Sequence, residues 1–229
     1  MSLRLDIEKT LQSGARRFHL QLQWQTDARR IAVFGPSGAG KSLLLRLIAG
    51  IERPDRGRIE LDGRVLYDAS DGIDLPTRAR GLGYVFQDYA LFPHLDARQN
   101  IAFGLRRSLA NPSRGLREPV VEHWLEVLGL SGVAGLYPAQ LSDGQRQRTA
   151  LARALVTQPR ALLLDEPFAA LDPALQRDLR DELDRLQRQL DLPMLLISHD
   201  IEDARRFGEA LLEIRDGHPA QVGTVTDCF

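Results

Sequence analysis

The stretch Gly35-Pro36-Ser37-Gly38-Ala39-Gly40-Lys41-Ser42 has the glycine spacing, the lysine and the hydroxyl of a loop that binds a nucleotide's phosphates. The apolar run 31–34 before it predicts a buried strand, and the leucine-rich run 43–48 after it predicts a helix. Glycines let backbone N–H groups approach an anion closely, and a helix N-terminus adds partial positive charge. We therefore expect Lys41 to contact the β- and γ-phosphates and Ser42 to ligate Mg²⁺.

The composition is that of an ordinary globular chain. It has 229 residues, of which 43% are hydrophobic, and a formal net charge of −1. A general nucleic-acid binder usually has a basic excess, so we expect no nucleic-acid partner. No apolar run approaches the length of a membrane span, and the first residues have no signal or transit pattern. The single cysteine, Cys228, excludes internal disulfides, and we expect a cytoplasmic protein.

Strand and helix patterns succeed one another along the chain. Weak alternation of apolar residues over 3–24 predicts two strands of an antiparallel sheet, and the Asp-Gly pairs at 62–63 and 216–217 predict tight hairpins. Helical patterns dominate 88–154, which predicts a mostly helical insertion. A further helix is predicted over 174–190, whose apolar face would comprise Leu175, Leu179, Leu183, Leu186 and Leu190.

Three predicted strands end in polar side chains, namely Gln87, Asp165 with Glu166, and Ser198 with His199. Ligands of open parallel sheets bind beyond the carboxyl ends of the strands, so we expect these residues at the same edge as the phosphate loop. Asp165 can hold Mg²⁺ through its water shell, and Glu166 can act on the attacking water as base or orienter. Considered alone, His199 fits a structural histidine as well. The other four histidines do not cluster in sequence, which argues against a zinc site.

The stretch Leu141-Ser142-Asp143-Gly144-Gln145 has the spacing of a capping box, in which Ser142 and Gln145 bond each other's backbone. A helix is therefore predicted to begin here. Its first N–H groups form a second possible anion site, far along the chain from the phosphate loop. A plain capped helix also accounts for this stretch when nothing else is considered.

Together these stretches resemble the ATP-binding subunits of ABC transporters over nearly the whole chain. Six motifs match in order: Walker A (Gly35 to Ser42), the Q-loop (Gln87), the signature (Leu141 to Gln145), Walker B (Leu162 to Glu166), the D-loop (Ala170-Leu171-Asp172) and the switch histidine (His199). The resemblance implies an α/β fold, with a P-loop NTPase (RecA-like) core, an antiparallel β subdomain and a helical insertion. Within a single ABC ATPase domain, 1–229, we expect the core and β subdomain in 1–87 and 155–229 and the helical signature subdomain in 88–154.

The resemblance also implies ATP and Mg²⁺ as cofactors and a role for each matching residue. Nucleotide binding would involve Gly35, Pro36, Ser37, Gly38, Ala39, Gly40, Lys41 and Ser42 together with Ser142, Gly144 and Gln145. Mg²⁺ would involve Ser42, Gln87 and Asp165. Lys41, Gln87, Glu166 and His199 would serve hydrolysis, with Glu166 as general base and His199 sensing the γ-phosphate.

The partners follow from the same resemblance. The family implies a head-to-tail homodimer with ATP at the interface, between one subunit's Walker A and the other's signature helix. Gln87 and the stretch Tyr89 to His94 would face integral membrane permease subunits, which an extracytoplasmic solute-binding protein supplies. The chain would then be peripheral on the cytoplasmic face of the inner membrane.

Two positions depart from the family pattern. Asp143 replaces a glycine of the signature, and we expect its side chain to point away from the nucleotide because a γ-phosphate would repel it. Residues 11–13 occupy the region where relatives often place a tyrosine that stacks on adenine. Phe18, Arg16 or Arg17 could substitute, although Phe18 could equally belong to the core.

The transported solute is a finer question. The stretches 83–88 and 91–94 resemble importers of oxyanions, iron, polyamines and sugars, and 63–68 with 72–73 is most similar to molybdate importers. The leading hypothesis is an ATP-hydrolysing subunit that energises uptake of an oxyanion, molybdate, with sulfate, iron, a polyamine or a sugar as alternatives. Many members of the family carry a C-terminal regulatory β domain, so we expect this chain to be either a short member or a truncated one.

A non-transport ABC ATPase and a P-loop kinase are the two alternatives to an importer subunit. A non-transport ABC ATPase acting on ribosomes or DNA would usually carry tandem cassettes or basic patches, and it would copurify with those partners. A P-loop kinase would release a phosphorylated product, and it would leave the signature and His199 without a role.

Overall fold

The computed structural model describes residues 1–14, 16–105, 110–115, 117–169 and 171–224. The chain divides into two compact units. The first unit combines Met1–Leu82 with Asp191–Phe229, and the second comprises Gly83–Leu190. The subdomain boundaries expected from the sequence, at 87–88 and 154–155, stay a prediction.

An antiparallel sheet of five strands begins the first unit: β1 (Leu3–Ser13), β2 (Arg16–Thr26), β4 (Arg56–Leu61), β5 (Arg64–Asp68) and β6 (Ile73–Asp74). The order of these strands in the sheet is β2-β1-β4-β5-β6. Strands β1 and β2 pair along their full lengths, and β1 pairs β4 on its other side. Leu3, Leu5 and Ile7 on β1 are buried, whereas the residues between them are exposed, as expected for a sheet with one face on the core.

The strand before the phosphate loop, β3 (Arg30–Phe34), lies between two parallel neighbours, β9 (Met194–Ile197) and β10 (Ala210–Arg215). Strand β11 (His218–Thr224) pairs antiparallel with β10 through the Asp216-Gly217 turn. All four residues of β9 and the central residues of β3 are buried, which explains their continuous apolar sequence. The predicted strands at 31–34 and 194–197 and both Asp-Gly hairpins are confirmed.

Three helices belong to the first unit: α1 (Lys41–Ala49), α2 (Thr77–Arg80) and α7 (Ile201–Phe207). The C-terminal end of α1 is closed by Arg80, whose side chain is 0% exposed. Its guanidinium donates to the carbonyl oxygens of Leu47 and Ile48, at 2.8 and 2.9 Å, and pairs with Asp74. A cation at a helix C-terminus satisfies carbonyls that have no partner inside the helix.

The second unit contains two neighbouring strands and most of the helices. The strands are β7 (Leu82–Val85) and β8 (Ala161–Asp165), and all five residues of β8 are buried. The helices are α3 (Ala97–Phe103), α4 (Pro119–Val127), α5 (Asp143–Leu155) and α6 (Pro173–Leu190), with short 3-10 turns at Ser131–Val133 and Pro138–Gln140. The predicted helical character of this region is confirmed.

Helix α6 differs from its predicted pattern at the ends of the apolar face. Leu179, Leu183 and Leu186 are buried as predicted. Leu190, in the last turn, is 44% exposed, and Leu175 in the first turn is half-buried. Periodicity predicts which side of a helix faces the core, but not how far along the helix the core extends.

Candidate nucleotide-binding site

The phosphate loop joins β3 to α1 in the first unit. Lys41 begins the helix and is only 4% exposed. Its Nζ donates to the carbonyl oxygens of Gly35, at 2.8 Å, and Pro36, at 2.9 Å. The first turn of α1 contains no acidic residue, so its N–H groups and the ammonium present only positive character to an anion.

Two glycines of the loop have close neighbours that exclude a side chain. Gly35 has φ 145°, and a Cβ there would lie 2.1 Å from the carbonyl oxygen of Ile214 on β10. Gly40, the residue before α1, has φ 103°, and a Cβ there would lie 2.9 Å from Cζ of Phe18. The loop is therefore held against β10 on one side and the β1–β2 hairpin on the other. Phe18 is half-buried against Gly40, and its adenine role stays a prediction.

His199 follows β9 and is exposed. The residue before it, Ser198, donates a hydrogen bond from Oγ to Oδ2 of Asp203, 2.6 Å away, and accepts one from the Asp200 N–H at 3.0 Å. Asp203 is 2% exposed and lies on α7. This short network fixes the turn that carries His199. Ser198 was predicted among the polar residues at this strand end, but its bond to Asp203 was not, although the Ser-x-x-x-x-Asp spacing from strand to helix is a local signal.

The acidic pair ends β8 in the second unit. Asp165 is 6% exposed, and the Tyr84 hydroxyl on β7 donates to its Oδ2 at 3.1 Å. Glu166 is half-buried and has φ 46°, in the left-handed region that non-glycine residues seldom adopt. This conformation turns the chain directly after β8, so the Asp165 side chain is buried whereas that of Glu166 is only half-buried. Tyr84 was not predicted from the sequence.

The signature stretch begins α5 as predicted. Ser142 is the N-cap, its Oγ accepts from the Gln145 N–H at 3.3 Å, and Gln145 Oε1 accepts from the Ser142 N–H at 2.9 Å. The capping box is therefore confirmed. Gly144 is buried, and a Cβ there would lie 3.0 Å from Cδ1 of Leu175 on α6.

Asp143, which replaces the family's glycine, forms an ion pair with Arg146 one turn along α5. Arg146 also donates to the carbonyl oxygen of Leu141 at 3.1 Å. The side chains of Asp143 and Arg146 are 51% and 34% exposed, so water screens their attraction. The positive neighbour nevertheless reduces the net negative charge at this helix N-terminus.

Each unit contains its own share of the predicted residues. The first unit brings together the phosphate loop with Lys41 and Ser42, and it also contains His199. The second unit contains Gln87, which is exposed just after β7, together with Ser142, Gly144, Gln145, Asp165 and Glu166. Ala170 of the D-loop and Cys228 lie outside the described residues. Roles for these residues in catalysis and binding stay predictions.

The donor chemistry fits Mg²⁺. Mg²⁺ prefers oxygen ligands and keeps several waters, and a hydroxyl, an amide oxygen and a carboxylate are such donors. Ser42 has such a hydroxyl in the first unit, and Gln87 has an amide oxygen and Asp165 a buried carboxylate in the second, and a role for the three at Mg²⁺ stays a prediction. Among the residues that the structure describes, no group of three or more histidine, cysteine, aspartate or glutamate side chains could hold a metal ion by itself. A nucleotide's phosphates would supply the remaining oxygens.

The sequence profile of the ABC transporter family matches residues 20–169. The chain therefore belongs to the ABC transporter family. Within the parts that the structure describes, no helix is both long and apolar enough to cross a membrane.

Curated relatives are import ATP-binding proteins for oxyanions. The chain is 44% identical over 203 residues to the sulfate/thiosulfate import ATP-binding protein CysA of Synechocystis sp., covering 89% of this chain and 55% of that one. It is 41% identical over 223 residues to the molybdenum import ATP-binding protein ModC of Rhodospirillum rubrum, covering 97% of this chain and 59% of that one. The chain thus spans just over half the length of these relatives. The molybdate/tungstate import ATP-binding protein WtpC of Archaeoglobus fulgidus is 42% identical over 229 residues, 100% of this chain and 90% of that one.

Solved structures place the chain in the same fold. The ATP-binding cassette MJ0796, in a dimeric post-hydrolysis state bound to ADP and Pi, superposes with a TM-score of 0.79. The two sequences are 28% identical, and the match covers 98% of this chain and 99% of that one. The expected fold class, a P-loop NTPase of the ABC ATPase type, is confirmed.

Proposed function

We propose that this chain is the ATP-binding and hydrolysing subunit of an ABC importer that energises uptake of an oxyanion, molybdate. The observation that carries the proposal is the pair of anion-binding helix N-termini in one chain. Helix α1 begins at the buried Lys41, and α5 begins at the Ser142 capping box. An acidic pair, Asp165 and Glu166, ends a buried strand. An ATPase of the ABC family needs both helix N-termini and the acidic pair to bind and hydrolyse a nucleotide.

Each group has a distinct chemical task in this proposal. Lys41 and the loop N–H groups of 35–42 neutralise the β- and γ-phosphates, and Ser42, Gln87 and Asp165 serve Mg²⁺. Glu166 accepts a proton from the attacking water, and His199 hydrogen-bonds the γ-phosphate. Mg²⁺, when bound with the nucleotide, stabilises the charge that develops on the transferred phosphoryl group.

The second helix N-terminus is the reason to propose a homodimer with ATP at the interface. Ser142, Gly144 and Gln145 would complete the nucleotide site of a second copy. The dimeric state of the MJ0796 cassette supports this arrangement. The relatives are named import ATP-binding proteins. Because import needs a path across a membrane, we propose integral membrane permease subunits and an extracytoplasmic solute-binding protein as further partners, and a location on the cytoplasmic face of the inner membrane.

Sulfate is the second candidate solute, because the sulfate/thiosulfate relative is 44% identical and the molybdate/tungstate relative is 42% identical. Molybdate is favoured because the similarity to that relative extends over 229 residues of this chain, against 203 for the sulfate/thiosulfate relative. Both solutes are tetrahedral dianions, so the oxyanion class does not depend on the choice. ATP hydrolysis by the assembled transporter should be stimulated by molybdate-loaded binding protein, and stimulation by sulfate alone would reassign the solute.

Glu166→Gln tests the hydrolytic role. The amide cannot accept the proton, so the variant should bind ATP and dimerise in its presence while kcat falls by about a hundredfold or more. Glu126→Gln on α4 is the matched control, since Glu126 is exposed and the same charge is removed within the same unit. Near-normal turnover by Glu166→Gln would remove Glu166 as the base. Absence of ATP hydrolysis by the wild-type chain and by its assembled transporter would reject the proposed function.

A further inference from the structure

The segment that follows Gln87 has a backbone conformation that its residues do not favour. Tyr89 has φ 62° and Ala90 has φ 43°, so two successive non-glycine residues lie in the left-handed region. The Tyr89 side chain is buried, and its hydroxyl has no hydrogen-bond partner among the residues that the structure describes. Both features oppose this conformation, and other contacts must therefore stabilise it.

Arg153 supplies those contacts. Its Nη2 donates to the carbonyl oxygen of Tyr89 at 2.7 Å, and its Nη1 donates to that of Ala90 at 2.6 Å. The guanidinium carbon also lies 5.9 Å from the centroid of the Phe92 ring. A planar guanidinium presents two parallel N–H groups at a fixed spacing, so it can bridge two carbonyls that point the same way. Burial lowers the pKa of Arg153 to about 10, which leaves the group charged at neutral pH.

The helix that carries Arg153 is the signature helix. Helix α5 begins beside its N-cap Ser142 and runs to Leu155, so Arg153 lies in its last turn. Tyr89 is also within the electrostatic influence of the first turn. Burial raises the pKa of the Tyr89 hydroxyl, Asp143 raises it further, and Arg146 lowers it. The segment after Gln87 thus contacts the C-terminal end of α5 through Arg153. Charged side chains at the N-terminal end of α5 act on the pKa of Tyr89 in the same segment.

We propose that Arg153 is a positioning residue for ATP hydrolysis, which binds the carbonyls of Tyr89 and Ala90 and thereby fixes the segment that carries Gln87 to the signature helix. The inference rests on the proposed ATPase function. Arg153 would act only through the backbone of this segment. A single helix, α5, carries both Ser142 and Arg153. A displacement of its N-terminal end would therefore be transmitted to residues 87–90, and a displacement of residues 87–90 would be transmitted to that end.

The test compares Arg153→Met and Arg153→Lys with wild type in the full chain. Methionine removes both donors, whereas the lysine ammonium keeps the charge but lacks the planar pair of N–H groups. Arg185→Met on α6 is the matched control, because Arg185 is an exposed arginine of the same unit. The first readout is amide hydrogen exchange of residues 86–92, with the buried strand β8 as internal reference. The second readout is the separate measurement of kcat and KM for ATP.

In Arg153→Met, exchange of 86–92 should rise about tenfold while that of β8 stays unchanged. The value of kcat should fall about tenfold or more, with KM for ATP changed less than about twofold, because the phosphate loop is untouched. Arg153→Lys should recover part of the protection and part of kcat. If Arg153→Met fails to fold, Arg153→Lys decides the question by the same two readouts.

Unchanged exchange of 86–92 in both variants would overturn the proposal, as would increased exchange with an unchanged kcat. Equal increases in 86–92 and β8 would show a general loss of stability instead of positioning. Absence of ATPase activity in the wild-type chain and in its assembled transporter would reject the proposed function, whereas the exchange comparison would still show whether Arg153 fixes the segment.

Discussion

The Tyr84 hydroxyl donates a hydrogen bond to Oδ2 of Asp165 at 3.1 Å, and so helps to orient the buried carboxylate that ends β8. Outer-shell partners of this kind fix the orientation and basicity of a carboxylate that serves a metal ion. The two residues are 81 positions apart and lie on neighbouring strands.

Tyr84→Phe removes this bond and keeps the ring. We expect the Mg²⁺ concentration for half-maximal ATP hydrolysis to rise by about tenfold, because Asp165 loses an orienting donor. The free energy of unfolding should fall by ~1–2 kcal/mol. Tyr67→Phe is the matched control, since the Tyr67 hydroxyl donates to the Pro54 carbonyl oxygen at 2.9 Å within the first unit. An equal change of the Mg²⁺ dependence in both variants would contradict a role for Tyr84 at the metal.

Gly35→Ala and Gly38→Ala separate steric exclusion from backbone strain in the phosphate loop. Both glycines have positive φ, but a Cβ meets the Ile214 oxygen at 2.1 Å in one case and nothing within 4 Å in the other. Gly38→Ala should lower the free energy of unfolding by about 1 kcal/mol, the strain of a left-handed alanine. Gly35→Ala should lower it by about 3 kcal/mol or more, because a backbone oxygen cannot move aside. Urea unfolding without nucleotide measures both, and equal losses would refute the distinction.

Asp143→Gly should change ATPase activity less than about threefold, because Arg146 already offsets much of the carboxylate's charge. Arg146→Met leaves that charge uncompensated at the α5 N-terminus, and activity should fall about fivefold. The double variant Asp143→Gly/Arg146→Met should recover nearly the activity of Asp143→Gly. If the effects of the two substitutions on ATPase activity are additive in the double variant, the Asp143–Arg146 ion pair does not control the charge at the N-terminus of α5. A many-fold rise in Asp143→Gly would show that the acid opposes nucleotide binding despite its partner.

Asp68 gives the first unit a pH-dependent stability. The Ser70 hydroxyl, the N–H groups of Asp71 and Ser70 and the Arg58 guanidinium lower the pKa of Asp68 to about 2, from 3.8. Its stabilising effect is therefore complete above pH 3.8 and is lost as the pH falls toward 2. Asp68→Asn should be less stable than wild type at pH 6 and should show a shallower loss between pH 4 and 2. Urea midpoints across this range provide the measurement, with Asp71→Asn, an exposed neighbour, as control. Parallel curves for wild type and Asp68→Asn would contradict the prediction.

Features that depend on near neighbours in sequence were predictable. The Ser142–Gln145 capping box needs only three residues of spacing, and it forms as predicted. The Asp-Gly turns at 62–63 and 216–217 need two residues that tolerate positive φ, and both residues of each pair have it. The phosphate loop lies between strand and helix because the apolar runs on each side have unambiguous patterns.

Contacts between distant residues were not predictable. The Arg153 guanidinium binds carbonyls 63 and 64 positions away, and Arg80 binds carbonyls 32 and 33 positions away. Arginines in sequence look like surface residues, and no local pattern distinguishes one that is 0% exposed. The partners at these distances are backbone oxygens, which every residue has, so the sequence offers no particular residue type by which these bonds could be predicted.

The bonds from the Lys41 ammonium to the Gly35 and Pro36 carbonyls have a consequence for affinity measurements. The ammonium is already oriented and largely removed from water before a phosphate arrives, so less side-chain entropy is lost on binding. A phosphate bound there would share the three N–H donors of the ammonium with these two carbonyl oxygens. The loss of affinity in a Lys41→Met variant would therefore equal the difference between two sets of hydrogen bonds, and it would understate the full interaction of the ammonium with the phosphates.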